Sequence, residues 1–437
     1  MKVEQIAATL NEVFNEVIGE SAVIKEDLSN IVDTGRTVTA NLTTISDNDF
    51  ENYMKKIIDK IGKTIVWDRV YMGDSLGLLR DSWEYGSVLE KIRAEVGEYE
   101  ETKDWDLANY KPTVFEFTPP SATAKYFNKK VTFTLKNSTT KEQFMSAWTN
   151  ATAMSRFFSA VENRIKMKSR VAIENLEQRT LNNFIAEKIK SNNNVVNLLA
   201  DYIAETNDNT INASNALQNK AFLKYVIKTI RLKKKLMNKL SMKYNNDGYP
   251  CFTPDEYMLI YALTDLVSEL DNTLYSDTYH NEFVKLDGYH ELSYWQGSGT
   301  TDDIKERSKI SAIPASEGSL SGVDNRKTIV QTGILFVIAD KDAIAVCNEN
   351  PRTTSIYNPE GEFINYWYKF DASYFNDLGE NGIVFLIDDY AILTNEPTDW
   401  ATNYSNYYEK GNDGVYTALA ETTTFVANKY YKKVGNI

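Results

Sequence analysis

Thr139-Thr-Lys-Glu-Gln-Phe-Met-Ser-Ala-Trp148 opens a stretch that continues to Ser191 without a glycine or proline. Its first four residues form a capping-box pattern, in which the Thr139 hydroxyl accepts from a free amide and Glu142 reaches back. Apolar residues then recur at helical spacing: Phe144, Ala147, Trp148, Ala151, Met154, Phe158, Val161 and Ile165, followed by Leu176, Phe184, Ile185 and Ile189. Asn163 to Arg170 is richer in charge and is expected to be more exposed. At 1.5 Å per residue the helix would span roughly 60–75 Å, so a bend or break is expected along it. Ser191-Asn-Asn-Asn194 reads as its stop. Taken alone this is a core helix of an ordinary globular protein, and the flanking segments decide more.

The 437 residues suffice for at least one large core and suggest two or three domains. Hydrophobic residues make up 42% and charged residues 25%, a globular rather than disordered balance. A formal net charge of −13 argues against a dedicated nucleic-acid binder, whose phosphate contacts need a basic surface. The two cysteines, Cys251 and Cys347, are far apart and lack nearby ligand partners, so neither a disulfide framework nor zinc spacing can be built. Met1 to Ile6 lacks the apolar core of a signal peptide. The longest apolar runs, Ile334–Ala339 and Ile383–Ile387, are strand-sized, too short to span a bilayer. A reducing compartment, with no membrane, is the expected setting.

Before the long helix, residues 4–18 read as a short amphipathic helix, residues 19–46 as an extended arm, and Phe50–Ile61 as a second helix stopped by Gly62. Ile65–Tyr71 and Ser87–Arg93 are β-capable runs. Between them lie turn signals and the exposed-looking side chains of Arg80, Asp81, Trp83, Glu84 and Tyr85. Aromatic and Arg residues on a projecting loop are typical interface anchors. An acidic run from Glu95 to Asp106 follows, then two predicted strands, Thr113–Phe117 and Tyr126–Lys136.

Beyond the long helix, Val195–Ile203 is predicted helical, residues 206–219 a linker, and Ala221–Tyr244 a strongly basic helix. For such a helix, the solvated face of a domain is a commoner reading than a nucleic-acid or membrane surface. Thr253–Leu270 is predicted as a helix with proline in its first turn, and residues 296–328 as a long loop. The last third is strand-rich: Thr328–Ala339, Ala343–Cys347, a turn at Asn358-Pro-Glu-Gly361, then Phe363–Phe370 and Gly382–Ile387. Residues 391–437 read as a peripheral tail or short strands.

Catalytic signals are thin. There is no phosphate loop, no GxGxxG after a strand and no HExxH. His280 and His290 are the only histidines, which removes most metal and acid–base constellations. The sequence suggests no cofactor and no metal. Seven Trp, 27 Tyr and 19 Phe instead suit a protein that works by making contacts.

The element order resembles that of the major capsid proteins of tailed double-stranded DNA phages. Two segments sharpen the likeness. Phe127-Asn-Lys-Lys-Val-Thr-Phe-Thr-Leu-Lys136, leading through Phe144 and Trp148 to Leu181-Asn-Asn-Phe-Ile185, is similar to the strand-plus-spine-helix segment of capsid proteins from small podophages (Picovirinae type) of Gram-positive bacteria. Ile356-Tyr-Asn-Pro-Glu-Gly-Glu-Phe-Ile-Asn-Tyr-Trp-Tyr-Lys-Phe370 is similar to their Asn-Pro turn and aromatic strand. The similarity runs in order over roughly residues 50–390. It implies an α+β capsid fold with an N-terminal arm (1–65), an extended loop (66–97), a peripheral domain with the spine helix (101–200), an axial domain (201–354), return strands (355–390) and a tail (391–437). The tail is too short for the immunoglobulin-like domain some relatives append.

By the same resemblance the chain would be a structural protein, not an enzyme. It would assemble as pentamers and hexamers into an icosahedral or prolate shell around double-stranded DNA, with a scaffolding protein and a portal, in the host bacterial cytoplasm, and reside in the virion. Two alternatives stand beside it: an encapsulin-like bacterial cage subunit, and, in a different class, a carboxylate-dependent soluble hydrolase stacking sugars on its aromatics.

Overall fold

The computed structural model of the chain describes residues 11, 24–25, 76–80, 89–94, 122–143, 151–191, 194–206, 208, 210–272, 288–296, 303–317, 328–388, 391–393, 396, 400, 407–410, 416–419, 423–427 and 429–433. The predicted helix at 50–61 and strands at 65–71 and 113–117 lie outside these residues, as does all of the 4–18 helix except Asn11, which is helical. Two compact units emerge. The first comprises Met1–Ser82, Lys129–Glu177 and Val346–Ser373, and the second Trp83–Asn128, Gln178–Ala345 and Tyr374–Ile437.

The described strands and helices, in chain order, are β1 (Leu79–Arg80), β2 (Leu89–Ala94), β3 (Ala122–Phe127), β4 (Lys130–Thr140), α1 (Ala151–Ser191), β5 (Val195–Asn197), α2 (Leu198–Thr206), α3 (Lys220–Met237), β6 (Met258–Leu263) and α4 (Thr264–Leu270). Then follow β7 (His290–Leu292), α5 (Ile304–Arg307), β8 (Ile310–Ala312), β9 (Ile329–Gln331), β10 (Ile334–Asp340), β11 (Ile344–Asn358), β12 (Phe363–Asn376) and β13 (Gly382–Leu386). Four short strands close the series: β14 (Ala391–Leu393), β15 (Tyr407–Lys410), β16 (Tyr416–Ala418) and β17 (Lys429–Lys433).

The first unit is built on a sheet of order β1-β11-β12-β4. β4 and β12 run antiparallel with Phe133 opposite Phe370, whose rings stack at 5.2 Å. Alternation along β4 places every second side chain in a half-buried or buried position, as a strand with one covered face requires. The Asn358–Gly361 turn joins β11 to β12: Asn358 Oδ1 accepts from the amides of Glu360 (3.0 Å) and Gly361 (3.2 Å), an Asx turn that sets the register of the aromatic strand.

The capping box sits one residue later than its predicted place. Thr139 is paired with Ile364 and its side chain is buried, so it belongs to the strand. The reciprocal bonds are those of Thr140 and Gln143: the Gln143 amide donates to Thr140 Oγ1 at 3.2 Å and the Thr140 amide to Gln143 Oε1 at 3.3 Å. α1 runs unbroken from Ala151 to Ser191. Asn163–Arg170 is largely exposed, with Ile165 buried.

The second unit is centred on a mixed sheet of order β5-β13-β10-β6-β7. Every residue of β10 and β13 is buried, which is why these strands read as continuous apolar runs rather than alternating ones. The α1 residues Leu181, Phe184 and Ile185 are buried here, and a Cβ at Gly382 would lie 2.6 Å from the Phe184 ring. Gly333, between β9 and β10, has φ +78°, and a Cβ there would meet Ile387 O. Asn219 caps α3, accepting from Ala221 N at 2.9 Å and Phe222 N at 3.1 Å.

Several sequence expectations change. The run Tyr126–Lys136 is divided at Asn128-Lys129, because β3 pairs with β2 and β4 with β12. Val195–Asn197 leaves the predicted helix for a parallel pairing with β13. Within Thr253–Leu270 a 3-10 turn and strand β6 precede α4: Met258–Leu263 completes the central sheet between β10 and β7, and backbone pairing overrides helical propensity there. α3 stops at Met237, where the chain turns back and Ser241 bridges to Cys251. The long loop after residue 296 contains α5 and β8, capped and paired respectively by Asp303 and β9. Residues beyond 390 form a sheet of order β14-β17-β15-β16 with a small core of Trp400, Tyr431, Leu419 and Phe425.

Candidate functional site

β2 and β3 form a two-stranded hairpin in the second unit, with Lys91 directly opposite Lys125 and Arg93 opposite Thr123. Like charges facing each other across a strand pair are destabilising unless a counter-charge intervenes. Here it is Asp377, just beyond β12. Lys91 Nζ donates to Asp377 Oδ2 and Lys125 Nζ to Asp377 Oδ1, both at 2.8 Å, so one carboxylate bridges the two lysines. Lys91 also donates to Glu380 Oε1 at 2.6 Å and to Asp342 O at 3.3 Å. Arg93 donates to Gly379 O at 2.9 Å and pairs with Glu380, and Lys125 pairs with Asp247. The Arg93 guanidinium lies 5.6 Å from the Tyr249 ring centroid.

Three cations thus meet three carboxylates in a partly buried cluster. Burial would lower the Lys91 ammonium, but Asp377 and Glu380 outweigh it and hold its pKa above that of a free lysine. Burial likewise pushes Asp377 up, while Lys125 and Lys91 prevail and hold it below the ordinary aspartate value. Cys251 Sγ donates to Glu380 Oε2 at 3.1 Å. Burial and that acceptor push the thiol up to about 12, so it remains a protonated donor rather than a nucleophile. The cluster is a fastening: it binds the returning strand of the predicted extended loop to the segment Asp377–Glu380.

Strand β1, which falls within the predicted loop, belongs to the sheet of the first unit. β1 pairs in parallel with β11, Arg80 opposite Cys347, and Val346 N donates to Leu78 O at 3.0 Å. The fully buried Glu177 of α1 faces this segment. Burial raises its carboxyl to about 7, against a smaller lowering by the nearby amides of Leu76, Leu79 and Leu78, and neither oxygen completes a hydrogen bond. Elsewhere in this unit Asp371 accepts from both Arg352 nitrogens (2.8 and 3.0 Å) and from Thr132 Oγ1 (2.7 Å), which hold its carboxyl well below the usual range.

Of the five residues singled out on the loop, Arg80 is placed, half-buried at the end of β1. Asp81, Trp83, Glu84 and Tyr85 lie outside the described residues. The sequence reading missed the cluster and Glu177. A signal for the cluster existed: Lys91 and Arg93 alternate within one β run, placing two cations on one face. Nothing local marks Asp377, Glu380 or Glu177.

His290 stacks on Tyr261 at 5.7 Å, and burial lowers its pKa. Both cysteines are buried and neither forms a disulfide. Among the described residues no cluster of His, Cys, Asp and Glu could hold a metal, and no helix is long and apolar enough to cross a membrane.

Comparison with known families decides the assignment. The Phi29-like phage major capsid protein family matches residues 7–386. This chain belongs to that family. It is a structural capsid protein with an α+β fold, a multi-copy subunit of the phage shell, resident in the virion. Similar solved structures include a chain of the Staphylococcus phage Andhra capsid, at 12% identity over 74% of this capsid protein and 84% of that chain with TM-score 0.47. Others are the cyanophage Pam1 capsid (10% identity, 73% and 93% covered, TM-score 0.40) and the mature capsid of bacteriophage PhiM1 (8%, 76% and 90%, TM-score 0.37). No curated protein matches the capsid protein. The family match alone establishes membership.

Proposed function

We propose that this subunit self-assembles as pentamers and hexamers into a closed icosahedral or prolate shell around double-stranded DNA. Assembly takes place in the host bacterial cytoplasm, guided by a scaffolding protein and a portal, and the chain performs no catalysis. Residues 1–65 serve as an arm, 66–97 as an intersubunit loop, 101–200 as the peripheral domain, 201–354 as the axial domain, 355–390 as return strands and 391–437 as a tail. Within the loop, Arg80, Asp81, Trp83, Glu84 and Tyr85 contact a neighbouring subunit.

The observation that carries the loop reading is the charge cluster. Lys91, Arg93 and Lys125 fasten the hairpin to Asp377 and Glu380, so a loop that leaves its own core still returns to a fixed root. A rooted projection suits a shell, in which many weak contacts add cooperatively while each stays reversible. The net charge of −13 suits a container that holds DNA without gripping it.

Replacing residues 81–85 with a Gly-Ser linker, which spares strand β1 and the buried Leu76 and Leu78, tests the reading. Circular dichroism should show a folded protomer, and sedimentation should show that shells no longer form. Complete shells from that variant would remove the loop's intersubunit role, and an unfolded protomer would show the segment to be core.

A further inference from the structure

α3 buries Phe222, Val226 and Ile230 on one side, but its opposite side is not simply polar. Leu232 and Leu236, one turn apart, are 53% and 42% exposed. Past the helix end, the antiparallel bridge between Ser241 and Cys251 sets their neighbours Leu240 and Phe252 side by side. Cys251 points inward and is buried, so Leu240 and Phe252 point outward, 58% and 55% exposed. Exposed Lys235 and Lys239 flank this strip. Four large apolar side chains inside a cationic rim have the core-and-rim anatomy of an interface.

The outer face of the β2–β3 hairpin has the complementary character. Its inner face is spent on the charge cluster, while Ile92 and Tyr126 are 67% and 64% exposed. The Tyr126 hydroxyl donates to exposed Glu90 at 2.9 Å. This face is apolar, with the carboxylate of Glu90 beside Tyr126.

We propose that the two faces meet between copies of this chain: Ile92 and Tyr126 of one subunit pack on Leu236, Leu240 and Phe252 of the next, with Glu90 against Lys235 and Lys239. The inference rests on the shell reading and names the surface that reading uses. Charge selects the occupant. Two strips that each carry Lys235 and Lys239 repel each other, so the strip does not pair with itself, whereas the β2–β3 face offers Ile92 and Tyr126 to the apolar centre and Glu90 to the lysines. Such a contact is head-to-tail, and head-to-tail contacts close into rings when the rotation permits. Duplex DNA would engage the lysines and leave the apolar strip without a partner.

The test is a charge swap with full-length protein, read by sedimentation and electron microscopy. K235E/K239E and E90K should each keep the protomer's circular dichroism and melting temperature while lowering shell yield at least about tenfold. Combining all three changes should restore most of that yield, the signature of coupled residues. L236N/L240N should also fold and fail to assemble. Normal shells from L236N/L240N would overturn the proposal, and so would lost assembly in both charge variants with no recovery in combination. Salt-sensitive duplex binding by the parent chain, abolished by K235E/K239E while shells persist, would assign the strip to DNA instead. If the parent chain forms no shells, the self-assembly reading fails separately. The contact is then read directly by oxidising a mixture of Y126C and L240C subunits: a disulfide that forms only in the mixture supports the proposal, and its absence overturns it.

Discussion

Glu177 gives the sharpest energetic expectation. Its side chain is fully buried against the Leu76–Leu79 segment, neither oxygen completes a hydrogen bond, and its carboxyl is raised to about 7, first by burial and then by nearby Glu174. A carboxyl raised in the folded state stabilises the protein below the unfolded value of about 4.3, and that contribution is lost as pH rises through the folded value. At ~1.4 kcal/mol for each pH step, the loss between about pH 4 and pH 8 is on the order of 3 kcal/mol. Glutamine is nearly isosteric with the protonated acid and never ionises. Glu177→Gln should therefore match the parent near pH 4 and exceed it by roughly 3 kcal/mol near pH 8. With a urea m-value of about 3 kcal/mol/M, that is a midpoint shift of about 1 M. Urea unfolding of unassembled subunits across this range, followed by amide exchange at residues 76–80, reads the effect. A parent and variant whose midpoints run parallel with pH would show that Glu177 is charged and satisfied in the folded state, and would refute the reasoning.

Four further outcomes are expected. Asp377→Asn removes the bridge between Lys91 and Lys125 and should cost about 3 kcal/mol near pH 7, measured by urea denaturation; because Asp377 is lowered, its contribution should be present above about pH 4 and fade as pH falls further. Lys188, buried and donating to Asn246 Oδ1 at 2.8 Å, has its pKa lowered to about 7 by burial, so stability should rise from pH 7 toward about 10 and Lys188→Met should flatten that rise in a pH series of thermal melts. Gly333→Ala forces a side chain into left-handed backbone and onto Ile387 O, and should destabilise by more than about 2 kcal/mol, read as loss of soluble protein. Deleting Gly361 shifts the register of β12 against β4 by one residue and turns every side chain over; insoluble or non-assembling protein is expected, and normal particles would make the turn a mere surface loop.

Local pattern fixed much of the architecture. The uninterrupted helical periodicity of residues 151–191, the Asn358–Gly361 turn and the apolar runs of β10 and β13 were all legible, because each is specified by neighbours within a few residues in the chain. The order of these elements pointed to the capsid family. The lone alternation of Lys91 and Arg93 hinted at a charged strand face without naming its partners. Tertiary pairing decided the rest. Met258–Leu263 and Val195–Asn197 became strands because β10 and β13 had free edges to fill, and Thr139 was drawn into β4 by Ile364, moving the cap to Thr140. Asp377 lies more than 250 residues from Lys125, and Glu177 about a hundred from the Leu76–Leu79 backbone it faces. An ion pair or a buried carboxyl depends on distances of a few ångströms in space, and one-dimensional spacing carries no trace of them until the chain has folded.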